Sequence, residues 1–162
     1  MCGLAGFLGP AGAGLGATAG AMADELLHRG PDDRGVWADD TAGGAFGHRR
    51  RSLVDLSAAG HQPMLSHDQR YVLAYNGELY NTEELREEVQ RAVGPCAWRG
   101  HSDTEVLLEA FAVWGVREAL RRTVGMFALA LWDRQERRLT LARDRIGEKP
   151  LYYGRFGATL LF

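Results

Sequence analysis

Cysteine is scarce in this 162-residue chain, with only Cys2 and Cys96 present. A disulfide scaffold is therefore not expected, and a reducing compartment, the cytoplasm, is the simpler reading. An excess of one charge is also missing: 19 basic side chains against 21 acidic ones leave a net charge of −2 and a pI near 6.2. No basic field marks a nucleic acid or an anionic membrane as partner. The start, MCGLAGFLG, has neither the charged n-region nor the long apolar stretch of a signal peptide. Position 2 is not the glycine that myristoylation requires. Paired CxxC and HExxH motifs are absent, so no metal site is marked. No repeat or low-complexity tract divides the chain. One domain over 1–162 is expected, long enough to hide about two thirds of its unfolded surface.

Twenty-one glycines and five prolines break the chain into short pieces. GPAGAGLGATAG reads as a flexible loop, and the spacing of Met22, Leu26 and Leu27 predicts a short helix over 18–27, ended by the turn-forming HRGPDD. GAFGHRR and YVLAY read as strands, the second running into a turn at Asn76-Gly77. Asn81 followed by Glu84, and Ser102 followed by Glu105, have the spacing of capping boxes. The second of these helices puts Val106, Leu107, Ala110, Phe111 and Trp114 on one face and stops at Gly115. MFALALWD, RRLTLARD, LYYG and ATLLF then follow one another in the rhythm of an antiparallel meander. Strands, helices and strands again predict an α+β fold. An apolar strand at TLLF would leave an unprotected edge, so the chain is expected to be truncated at its C-terminal end.

Cys2 carries the most specific chemistry. A small residue after Met1 permits removal of that methionine, and Cys2 would then hold a thiol and a free α-amine on one residue. An ordinary thiol, with a pKa of about 8.5, is only a few per cent ionised at neutral pH and needs a base. A terminal α-amine, at about 7.7–8.0, is suited to that task. His28, His48, His61, His67 and His101 allow a rival Cys–His pairing, although none has a distinctive spacing to a cysteine. Asn76 and Gly77 read either as a turn or as oxyanion donors, one through its side-chain amide and the other through its backbone N–H. An amino-acid substrate would need a guanidinium for its carboxylate and acids for its ammonium. Arg49, Arg50 and Arg51 supply the first, Glu78 and Asp103 the second. Asp103, at a helix start, equally reads as a dipole-complementing residue.

MCGLAG, HRGPDD, GHRRRSLVDLS, HQPM, YNGELYN, SDTEV, GMFALALWD and RDRIGEKPLYYG occur in this order. Together they closely resemble the glutaminase domain of class II glutamine amidotransferases, of the asparagine synthetase type, over nearly the whole chain. The resemblance implies an N-terminal-nucleophile hydrolase fold, an αββα sandwich of two antiparallel sheets between helix layers. It implies that Cys2 attacks the side-chain amide of L-glutamine with its own α-amine as base, and that Asn76 and Gly77 form the oxyanion hole. Arg50 falls at the carboxylate-binding arginine, and Glu78 and Asp103 at the acids that hold the ammonium. Backbone groups of Arg50, Arg51, Ser52, Leu53 and Val54 would line the rest of the pocket. Arg29, Pro31 and Asp32 look like a supporting turn.

Two departures accompany the match. Arg51 stands where the family usually has an apolar residue, and the chain stops before the synthetase domain with its SGGxDS loop. No cofactor is expected in this domain; ATP and magnesium belong with the missing synthetase domain. The expected partners are glutamine, that synthetase domain or subunit, and a second copy of the chain. The expected activity is release of glutamate and ammonia, the ammonia passing to an ATP-activated carboxylate, aspartate by resemblance. The alternatives are the amidotransferase module of a natural-product amide synthetase and a non-catalytic interaction domain.

Overall fold

The computed structural model describes residues 1–51 and 58–162. Chain order is β1 (Gly3–Leu8), α1 (Leu15–Asp24), β2 (Asp33–Asp39), β3 (Gly44–Arg50), β4 (Met64–Leu65), β5 (Tyr71–Leu79), α2 (Thr82–Val93), α3 (Asp103–Trp114), α4 (Val116–Arg122), β6 (Gly125–Asp133), β7 (Arg138–Arg143), β8 (Gly154–Phe156) and β9 (Thr159–Leu161). One sheet has the order β2-β3-β1-β9-β8 and the other β4-β5-β6-β7, with every paired strand antiparallel.

Three apolar clusters define the layers. Phe46, Val72, Ala74, Ala130 and Trp132 fill the space between the sheets, joined by Leu4, Trp37, Leu141 and Phe162. Helix α1 covers the outer face of the first sheet through Ala19, which packs with Phe7 and Ala45. Helices α2 to α4 cover the second sheet, where Leu85, Val89, Leu107, Leu108 and Phe111 meet Leu73, Tyr75, Leu129 and Leu131. Each fully buried Leu or Phe contributes about 2–3 kcal/mol to this packing. The result is the α+β sandwich with two antiparallel sheets.

Several local expectations change. Residues Asp103 to Phe111 of α3 are all buried, because α2, α4 and β5 enclose the helix on more than one side. The single apolar face read from its spacing was too narrow. Helix α1 begins at Leu15, inside the stretch read as a flexible loop, with Gly14 at φ 77° before it. Asn81 does not cap α2; its amide donates to Arg122 O (2.9 Å) and its Oδ1 accepts from Val124 N (2.9 Å). LYYG is not a strand, and the expected meander is two hairpins in different sheets, β6-β7 and β8-β9. The chain crosses between them through residues 144–153. Asn76-Gly77 is not a turn either, since β5 runs straight through it and pairs Gly77 with Phe127.

Candidate active site

The register of β1 on β3 places Cys2. Gly3 pairs with Arg49, so the residue before it meets the end of β3. Cys2 Sγ accepts from Arg51 N (3.4 Å) and lies 3.8 Å from Arg51 O. Arg29 Nε donates to Cys2 O (3.2 Å), which gives the HRGPDD turn a supporting contact. Strand alternation sorts the arginines. Arg49 points to α1 and pairs with Asp24 (3.8 Å), whereas Arg50 is buried at the cavity and Arg51 is exposed at its rim. A Cβ on Gly60 would sit 2.0 Å from the Arg50 guanidinium, so the missing side chain makes room for it.

Cys2, Arg50, Arg51, Asn76, Gly77, Glu78 and Asp103 all line one cavity of about 360 Å³. Ser52, Leu53 and Val54 lie outside the described residues. Gly77 is needed for packing as well: a Cβ there would come within 2.4 Å of Met126 O and 2.6 Å of Phe127 Cβ. Ser102 Oγ caps α3 by accepting from Thr104 N (3.1 Å). Asp103 is thereby freed from that role, and its Oδ2 accepts from Tyr75 Oη (3.2 Å) and Leu79 N (3.0 Å). Burial raises the Asp103 pKa, against these hydrogen bonds, and burial beside Asp103 pushes Tyr75 well up. Glu105 makes no capping box. Its carboxylate accepts from Arg99 N, Arg99 Nε and Gly100 N (2.9–3.1 Å), fixing the approach to α3.

Among the described residues no histidine lines this cavity. His48 is buried between the sheets with Nε2 on Tyr75 O (3.1 Å), and His61 pairs with Asp33 (2.8 Å). His67 pairs with Glu109 (3.1 Å). Among the described residues no group of three or more His, Cys, Asp and Glu could hold a metal ion, and no helix is long and apolar enough to cross a membrane.

Residues that sequence reasoning left without a role also line the cavity, among them Gln62, Tyr75 and Lys149. Gln62, in HQPM, is buried; its Oε1 accepts from Tyr75 N (2.7 Å) and its Nε2 donates to Thr104 Oγ1 (3.4 Å). Lys149 is held by Asp144, whose carboxylate accepts from the backbone N–H groups of Phe127, Ile146, Gly147, Glu148 and Lys149. These bonds outweigh burial and hold the Asp144 carboxyl far below the usual range. The motifs HQPM and RDRIGEKPLYYG were the available signals, but neither discloses a direction into the cavity. A second cavity of about 200 Å³ shares Cys2 and Asn76 with the first and is walled by Leu4, Leu26, Leu151 and Phe162.

A family described as glutamine amidotransferase domain matches residues 1–162. The chain is 42% identical over 148 residues to glutamine-hydrolysing asparagine synthetase 3 of Bacillus subtilis, covering 87% of this chain and 22% of that protein. It is 44% identical over 167 residues to a putative glutamine-hydrolysing asparagine synthetase of Mycobacterium tuberculosis, covering 94% and 25%. The chain thus spans about a quarter of the length of these relatives. Among solved structures, glutamine phosphoribosylpyrophosphate amidotransferase from B. subtilis superposes with a TM-score of 0.77 at 22% identity, over 99% of this chain and 41% of that one.

Proposed function

The chain belongs to the glutamine amidotransferase domain family, and from that premise we propose that it hydrolyses L-glutamine at Cys2 and delivers the ammonia to a synthetase domain. The observation that carries this reading is the convergence of Cys2, one buried guanidinium and two carboxylates on a cavity of amino-acid size. Arg50 holds the substrate carboxylate as a fork, while Glu78 and Asp103 accept from its ammonium. That grip at one end of the substrate presents the side-chain amide to Cys2.

Cys2 is joined through its nitrogen to Met1, which leaves that nitrogen without basicity. Cleavage of this bond supplies the base. The α-amine takes the thiol proton as sulfur attacks the amide carbon, and the oxyanion is met by the Asn76 side chain and the Gly77 N–H. The amine returns the proton to the departing nitrogen, leaving ammonia and a γ-glutamyl thioester. Water, deprotonated by the same amine, then releases glutamate and restores the thiol. The second cavity, walled mainly by apolar residues and sharing Cys2 with the first, would receive the departing ammonia.

By likeness to its relatives, the acceptor is aspartate activated by ATP, with ATP and magnesium bound in the synthetase domain and the reaction in the cytoplasm. A second copy of this chain is a further partner, checked by sedimentation. The test of the half-reaction is glutamate release by the chain beginning at Cys2, lost in Cys2→Ala and blocked by a diazo-ketone glutamine analogue. Absence of turnover in that chain, even with the synthetase domain supplied, overturns the reading.

A further inference from the structure

The chain contains 18 arginines and a single lysine, Lys149. That one side-chain primary amine is buried at the wall of the cavity that holds Cys2. Its Nζ donates to Met1 Sδ (3.5 Å), a weak acceptor for an ammonium. Its position is imposed by the backbone: Asp144 Oδ2 accepts from both Lys149 N and Phe127 N (3.1 Å each). Phe127 is the ladder partner of Gly77. One carboxylate oxygen therefore ties the lysine to the strand pair that carries the expected oxyanion donors.

We propose that Lys149 is the positioning charge of this site: once Met1 is released, its ammonium holds the α-amine of Cys2 in the uncharged form that accepts a proton. This rests on the glutaminase reading above. Met1 is bonded directly to the Cys2 nitrogen, so a cation touching its side chain lies within about 10 Å of that nitrogen by bond lengths alone. A terminal amine of ordinary basicity is largely protonated at pH 7 and is then no base. A second positive charge nearby disfavours the protonated form.

Other charged and titratable groups line the same cavity or touch Cys2. Glu78 on β5, Asp103 on α3, Asp144 beside Lys149 and the thiolate of Cys2 itself favour protonation of the amine, Arg50 and Arg51 at the end of β3 and Arg29 oppose it, and Tyr75 donates to Asp103. In the working complex the substrate ammonium neutralises Glu78 and Asp103, and the substrate carboxylate occupies Arg50. Arg29 is engaged with Cys2 O and Arg51 is exposed and screened. Lys149 has no substrate group assigned to it and remains beside the amine, opposed by the Asp144 carboxylate at its own backbone N–H. At a separation of about 8 Å and an effective dielectric of about 30, the effect of its ammonium on the amine is worth about one pH unit.

The chain has two amines once Met1 is gone, so both can be followed by competitive acetylation with mass spectrometry across pH. The measurement uses the full chain beginning at residue 2, with Lys149, Lys149→Met or Lys149→Arg, in both the Cys2 and Cys2→Ala backgrounds. In Lys149→Met the α-amine midpoint should rise by about one pH unit, and the acid limb of kcat/KM for glutamine should move with it, about six- to eightfold in rate at pH 6.5. Lys149→Arg should restore both. An α-amine midpoint that is the same in all three variants overturns the proposal, as does a Lys149→Met effect confined to KM. The acetylation profile needs no turnover, so a failure of the glutaminase reading leaves it readable.

Discussion

Acidifying the protein should cost it stability through one buried ring, His48. A backbone carbonyl only accepts, so the contact with Tyr75 O puts the His48 proton on Nε2, and Nδ1 has no hydrogen-bond partner among the described residues. Burial lowers the pKa from 6.5 to about 4, outweighing the stabilising effect of the Tyr75 carbonyl on the charged form. The unfolded chain therefore takes up a proton near pH 6.5 while the folded chain resists until about pH 4. Folding stability is complete above pH 6.5 and falls as pH drops through that window. The whole difference is worth about 3 kcal/mol, most of it, about 2 kcal/mol, being lost between pH 7 and 4.5. Asp24, Asp33, Asp39, Asp133 and Asp144 have lowered pKa values and lose their contribution as pH falls through and below 3.8, so they scarcely enter that window. Urea unfolding at pH 7 and 4.5 should show this loss in the wild type. His48→Phe keeps a ring and cannot charge; its baseline is lower, but its loss between the two pH values should shrink by about 2 kcal/mol. Equal losses in the two proteins would refute the assignment. The ring touches the residue before Asn76, so glutaminase activity should fall over the same range.

Gly77→Ala drives a methyl into the backbone of β6 and should cost about 2–3 kcal/mol by urea unfolding, besides abolishing turnover. A variant as stable as wild type would contradict the packing described at that position. Asp103→Asn removes one of two charges assigned to the substrate ammonium and should raise KM for glutamine by about 30–100-fold, with a smaller change in kcat. Because burial raises the Asp103 pKa, wild-type KM should also climb, as pH falls, earlier than an ordinary aspartate would allow.

Cys2, Arg50, Asn76, Gly77, Glu78 and Asp103 could be named as candidates from motifs and resemblance, while residue type alone left Arg49 to Arg51, Asp103 and Asn76-Gly77 open; the fold brings the six to one cavity. Alternation along GAFGHRR was enough to separate Arg49 from Arg50 once β3 was known to face two different neighbours. The role of Ser102 as a cap was readable from spacing; that Glu105 would instead pin Arg99 and Gly100 was not, since its partners depend on how residues 94–102 pack. Asn76-Gly77 misled because the pair is a good turn in isolation. Its partner across the ladder, Phe127, is 50 residues away in sequence, and pairing with β6 overrides the local preference.

The sequence by itself determined the class of layers, the candidate nucleophile and the kinds of groups expected around it, since periodicity and residue chemistry act over a few positions. Tertiary structure decided which side chains face the cavity: Gln62, Tyr75 and Lys149 join it through contacts made across sheets and a chain crossing. Local patterns record which face of an element is apolar, but a cavity forms where several elements fail to fill space together, and only the packed chain defines that place.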